Sequence, residues 1–187
     1  MPEVWQAVAQ ETQLPELLKT TRDMPVYEDL MNYRLDILKK EGITLSDIQR
    51  EIAKLAPLDG AKEFLLWANE RFQVAIISDT FYEFAGPLMT QLDNPFLLCH
   101  ELVVEEDRVV GYTLRQPDPK RNAVKAFKSL DLRVFAAGDS FNDVSMLEEA
   151  DQGFFFQAPD NVRARFPQYP LASDYVQLQT LIEEALG

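Results

Sequence analysis

The first 55 or so residues carry apolar positions at helical spacing. Val4, Trp5 and Val8 fall on one face, and Leu30, Met31, Leu35, Ile37 and Leu38 recur further on. After Gly42 the pattern restarts with Leu45, Ile48, Ile52 and Leu55. Gly42 is suited to stop one helix, and Thr44 or Ser46 to cap the next. From Pro57 the texture changes. A helix predicted over 59–70 feeds the apolar run FQVAIIS, which is too short for a buried helix and rich in β-branched residues, so it predicts a strand over 72–77. There follow a helix near 81–92, a hairpin from HELVVEED and RVVGYTLR, a helix over 119–130, a strand over 132–138, a helix over 142–150 and a strand over 153–156. Helices alternating with strands predict an α/β fold built on a doubly wound parallel sheet. The change of texture divides the chain into a helical cap at 1–55 and an α/β core at 56–187.

Composition narrows the class. A chain of 187 residues that is 47% apolar can bury a substantial core. Its net charge of -13 argues against nucleic acid and anionic membrane as partners, because binding a phosphate backbone needs a basic face. The single cysteine, Cys99, allows no intrachain disulfide and fits the cytoplasm. No run approaches a membrane span, and the N-terminus lacks the basic and apolar regions of a secretory signal. Oligomeric state is not legible.

Ligands of parallel α/β sheets sit beyond the carboxyl ends of the strands. Three polar clusters are expected there: Ser78-Asp79-Thr80 after the strand at 72–77, Asp118-Pro119-Lys120 before the helix at 119–130, and Gly138-Asp139-Ser140 after the next strand. Asp139 and Asp143 are suited as oxygen ligands of magnesium; alternatively Asp139 or Ser140 caps the following helix and Asp143 complements its dipole. Ser78 could hold a phosphoryl group or cap its helix. Lys120 stands in a first helical turn, where a cation is unfavourable unless an anion lies nearby. A phosphate would serve, as opposed to a lysine that simply points into water. Taken together, the three clusters describe a phosphoryl-transfer pocket. Cys99, His100, Trp5, Trp67 and the run Phe154-Phe155-Phe156 read as packing residues.

Ser78, Lys120 and GDSFND, in that order, resemble the second, third and fourth motifs of the haloacid dehalogenase superfamily. SDTFYEF, RQPDPKR and AAGDSFND are similar to its phosphoserine phosphatase/homoserine phosphotransferase branch, with a helical cap after the first strand. The resemblance spans essentially the whole chain. It implies a cytoplasmic, Mg2+-dependent phosphatase of serine biosynthesis acting on a small phosphorylated amino acid, O-phosphoserine, with homoserine as a second phosphoryl acceptor. It makes Asp139 the direct magnesium ligand and Asp143 a support for metal-bound water. Ser78 would hold the phosphoryl group, Lys120 would neutralise it and Asn142 would hydrogen-bond beside it. In the cap, Arg34 would pair with the substrate carboxylate, with Tyr27 at the same mouth and Glu3 facing the substrate amine. Asp79 and Thr80 would line the site, and Asp79 matches the phosphotransferase-like subgroup. For Arg34 a surface ion pair is the competing reading.

The resemblance also implies an element that this sequence lacks: an apolar strand ending in Asp-x-Asp or Asp-x-Glu, whose first aspartate is the nucleophile and whose second acid is the general acid and base. Met1-Pro2-Glu3 resembles a tripeptide that follows this motif in the family. The expectation is a central strand missing from the sheet, between those that end in Ser78 and Asp139, and encoded just upstream. The alternative is a catalytically inactive phosphate- and Mg2+-binding or interaction module.

Overall fold

The computed structural model describes residues 4–20, 23, 24 and 26–187. Its helices are α1 (Val4–Thr12), α2 (Tyr27–Glu41), α3 (Leu45–Ile52), α4 (Ala61–Asn69), α5 (Tyr82–Gln91), α6 (Pro119–Lys128), α7 (Val144–Glu149), α8 (Asp160–Arg163) and α9 (Tyr175–Leu186). Its strands are β1 (Ile76–Phe81), β2 (Leu97–Glu105), β3 (Arg108–Thr113), β4 (Phe135–Gly138), β5 (Gln152–Phe156) and β6 (Leu171–Ala172). The chain forms two compact units. One comprises the residues up to Asp59 with Ser78–Arg115, the other Gly60–Ile77 with Gln116–Gly187.

In the first unit the expected helix boundaries have clear local causes. Gly42 ends α2 in the left-handed conformation, at φ 69°, which a glycine adopts without penalty. Two residues on, Thr44 and Asp47 form a reciprocal capping box that starts α3. Leu30, Met31 and Leu38 of α2 and Ile48 and Ile52 of α3 are buried. The predicted hairpin is β2 and β3, antiparallel, and its turn places Glu106 and Asp107 at φ 47° and 63°. Asp107 also docks the hairpin onto α3, because its carboxylate accepts from the Ser46 amide at 3.0 Å and hydroxyl at 2.9 Å.

The second unit holds the parallel part of the fold, with β4 paired to β5 and β5 to β6. Leu147, Phe155 and Val162 centre one apolar cluster, and Phe154, Ala172 and Leu178 another. The first of these packs helix against sheet, as alternating β and α segments require.

One expectation changes. The strand expected at 72–77 is displaced: β1 begins at Ile76 and continues through Ser78, Asp79 and Thr80 to Phe81. Pairing with β2, and a β-branched Thr80 followed by a Phe81 that is only 2% exposed, carry the extended backbone past the polar residues. The described strands form two three-stranded sheets, ordered β1-β2-β3 and β4-β5-β6, so β1 and β4 each stand at a sheet end. β6, α8 and α9 extend the pattern read from the sequence.

Candidate active site

In the second unit β4 ends at Gly138, and the chain turns through Asp139 and Ser140 into the short 3-10 turn Phe141–Asp143. Asp143 organises this turn. Its Oδ2 accepts from the Asp139 amide at 2.9 Å, the Ser140 amide at 3.0 Å and the Ser140 hydroxyl at 2.8 Å. Its Oδ1 accepts from the Lys120 ammonium at 2.7 Å. Gly138 is required here because a Cβ would lie 2.6 Å from the Asp143 Cγ and 2.8 Å from its Oδ2.

Lys120 and Asp143 are 7% and 5% exposed, so this is a buried ion pair. The lysine does not point into water. Burial pushes the Asp143 carboxyl up, but the Lys120 charge and the hydrogen bonds from Lys120, Ser140 and the Asp139 amide outweigh it, holding the group below the usual range. Asp139 goes the other way. It reaches solvent, yet partial desolvation and then the neighbouring Asp143 carboxylate raise its pKa. Asn142 lies exposed in the same turn. The capping alternative is realised by Ser140 and Asp143, which form a capping box, and Asp139 is the carboxylate set apart from it.

Magnesium typically binds one or two protein carboxylates and completes its shell with water and phosphate oxygens. The described residues include no group of three or more acidic, histidine or cysteine side chains able to hold a metal. Asp139, an acid destabilised in its ionised form beside a second carboxylate, fits the sparse protein donor set of magnesium.

Lys120 owes its place to its helix N-terminus. Asp118 takes the left-handed conformation, at φ 43°, and accepts from the Ser145 hydroxyl at 2.8 Å, tying the start of α6 to α7. Arg121 and Glu149 link the same helices at 2.9 Å. Neither Ser145 nor Glu149 stood out in the sequence, since each is an ordinary polar residue on a helix.

The first unit brings together the residues expected to read an amino acid. Arg34 is 7% exposed, which removes the surface ion-pair reading. Its Nη2 donates to the Lys19 carbonyl at 2.7 Å, and its guanidinium lies over the Trp5 ring. Burial raises the Tyr27 phenol to about 12, opposed by the Arg34 charge and reinforced by Asp79 and Tyr112. Tyr27 meets Tyr112 edge-on, with ring centroids 6.4 Å apart. Within β1 the Ser78 hydroxyl accepts from the Thr80 amide at 3.3 Å, so its own proton remains a donor. Glu3 lies outside the described residues. Tyr112 gave no signal in the sequence, because its partner Tyr27 is distant in the chain.

His100 and Cys99 are buried, as packing residues should be. His100 accepts the Arg115 amide at 3.1 Å, and burial raises the Cys99 thiol to about 12, so it is not activated. Among the described residues, no helix is long and apolar enough to cross a membrane.

Comparison with known proteins agrees with the motifs. A haloacid dehalogenase-like hydrolase model matches residues 5–151. A phosphoserine phosphatase of Pseudomonas syringae pv. tomato is 56% identical over 180 residues, covering 96% of this chain and 76% of the relative. Phosphoserine phosphatase ThrH of Pseudomonas aeruginosa is 57% identical, covering 96% and 88%. Among solved structures, phosphoserine phosphatase from T. onnurineus aligns with a TM-score of 0.68 and 25% identity, over 96% of this chain and 86% of that one. With the motif residues in place on an α/β scaffold, the chain belongs to the haloacid dehalogenase-like hydrolase family.

Proposed function

We propose that this protein is a Mg2+-dependent phosphomonoester hydrolase acting on O-phosphoserine, with homoserine as an alternative phosphoryl acceptor. The observation that carries the reading is the division of labour between the two sets of residues. One unit holds the buried Lys120–Asp143 pair beside Asp139, suited to a phosphate and a cation. The other holds a buried arginine beside a protonated tyrosine, suited to a carboxylate. The relatives named as phosphoserine phosphatases support this substrate and favour turnover over a non-catalytic module.

Magnesium, held by Asp139 with Asp143 in support, would neutralise phosphoryl oxygens and the charge that develops on them. Lys120 supplies a fixed positive charge at the same group, and the Asn142 side chain a hydrogen bond; for Ser78 the motif alone supports a phosphoryl-binding role. Because Lys120 is already held by Asp143, its ammonium needs little reorganisation as charge develops. Arg34 and Tyr27 orient the amino-acid end, and Asp79 and Thr80 line the same strand. The helical cap at 1–55 and the α/β core at 56–187 are the proposed structural roles of the two parts of the chain. The cytoplasm is the proposed location.

The sequence contains no Asp-x-Asp or Asp-x-Glu pair at the end of an apolar strand. Turnover is therefore to be measured on a chain carrying such a strand ahead of Met1, with phosphate release from phosphoserine followed in the presence and absence of Mg2+. Binding by the unextended chain is measured alongside. A Mg2+-dependent release that exceeds the release from simple alkyl phosphates supports the reading, and an equal rate on both refutes the substrate.

A further inference from the structure

Among the described residues, Arg34 is held by Trp5 and by Lys19, with its Nη1 also 4.0 Å from the Met31 sulfur. Its guanidinium carbon lies 4.4 Å from the Trp5 ring centroid. Trp5 in turn stands edge-on to Phe84 at 5.4 Å, and Phe84, which is 1% exposed, stands edge-on to Phe81 at 5.7 Å. The indole thus has a fixed aromatic backing. The Arg34 Nη2 donates to the Lys19 carbonyl at 2.7 Å. Lys19 is itself anchored, with its ammonium 4.2 Å from the ring centroid of Tyr33, the neighbour of Arg34 on α2. One contact sets the plane of the guanidinium and the other sets its rotation within that plane.

We infer that Trp5 is a positioning residue that determines specificity, holding the Arg34 guanidinium in the orientation that takes the carboxylate of a small phosphorylated amino acid. The inference rests on the proposed reading of Arg34 as the carboxylate-binding residue. An arginine side chain has many rotamers, and bidentate capture uses few of them, so restricting it beforehand strengthens binding without adding a contact to the ligand. A flat, electron-rich indole face suits this task better than an aliphatic residue, which would fill the volume but exert no pull on the cation.

The test is calorimetric titration of the unextended chain, in Mg2+, with phosphoserine and separately with inorganic phosphate. Wild type is compared with Trp5→Leu, Trp5→Phe and Arg34→Ala, and thermal melting checks that each variant folds. Trp5→Leu is expected to weaken phosphoserine binding about ten-fold, in line with the strength of a desolvated cation–π contact, while inorganic phosphate binds as before. Trp5→Phe, which keeps an aromatic face, should recover most of the loss. Equal losses for both ligands, or no loss for phosphoserine, would overturn the role of Trp5. Should Trp5→Leu fail to fold, Trp5→Met, which also lacks an aromatic face, decides: a loss confined to phosphoserine supports the role, and an unselective loss or none refutes it. Arg34→Ala separates the two levels. Selective loss there with an unaffected Trp5→Leu removes only the inference, whereas no loss in Arg34→Ala removes the reading of Arg34 itself.

Discussion

The Lys120 ammonium lies 2.7 Å from the Asp143 carboxylate, and both side chains are buried. A cation near a helix N-terminus is thereby given an anion, and the same carboxylate holds the turn that presents Asp139. Removing one member of a buried pair leaves an uncompensated charge, at a cost of about 3–5 kcal/mol. Asp143→Ala is expected to lower stability by that order, measured by denaturant unfolding.

The same pair sets an acid limit. The folded pKa of Asp143 is depressed, so its contribution to stability is fully present above the unfolded value of about 3.9 and is lost as pH falls through the folded pKa. Unfolding free energy should decline as pH drops below about 4, and Asp143→Asn should flatten that part of the curve. A curve unchanged by the substitution would mean that other acids control it.

Gly138→Ala adds one methyl group where Asp143 already lies. The carboxylate must move, with loss of its bonds to Ser140 and Lys120, and overpacking of this kind costs about 1–3 kcal/mol. The variant should be less stable and should lose affinity for inorganic phosphate in Mg2+. Phosphate affinity equal to wild type would show that the turn tolerates displacement.

Asp139 carries a raised pKa, so the stability it costs grows as pH rises from the ordinary carboxylate value and is complete above the folded pKa. A bound cation removes that cost. Adding Mg2+ at neutral pH is expected to raise the melting temperature of the wild type, to have less effect as pH falls toward the carboxylate range, and to have none in Asp139→Asn. An undiminished Mg2+ effect in Asp139→Asn would place the ion elsewhere.

Tyr27 defines the alkaline side. Its folded pKa of about 12 lies above the ordinary 10, so the unfolded chain releases this proton first and stability falls between pH 10 and about 12. Tyr27→Phe should lessen that decline, read by denaturant unfolding across the window.

Much of this was legible in the sequence where the cause was local. Gly42, Thr44 and Asp47 fix the α2–α3 junction through backbone conformation and neighbouring side chains, and the hairpin and its turn follow from alternation and Glu106-Asp107. GDSFND announced its acids but not how they divide, since Asp143 is committed by Lys120, which is remote in sequence. The same limit hid Trp5 beneath Arg34 and Tyr112 beside Tyr27. The start of β1 is not legible in the apolar run at 72–77, because the strand is defined by its pairing with β2, which is remote in sequence.

The central claim is tested most directly by phosphate release from O-phosphoserine, using a chain joined at its N-terminus to an apolar strand ending in Asp-x-Glu. Mg2+-dependent release is predicted, abolished by chelation and in Asp139→Asn, and reduced for an alkyl phosphate that offers Arg34 no carboxylate. Release that is independent of Mg2+, or equal for the two esters, would contradict it.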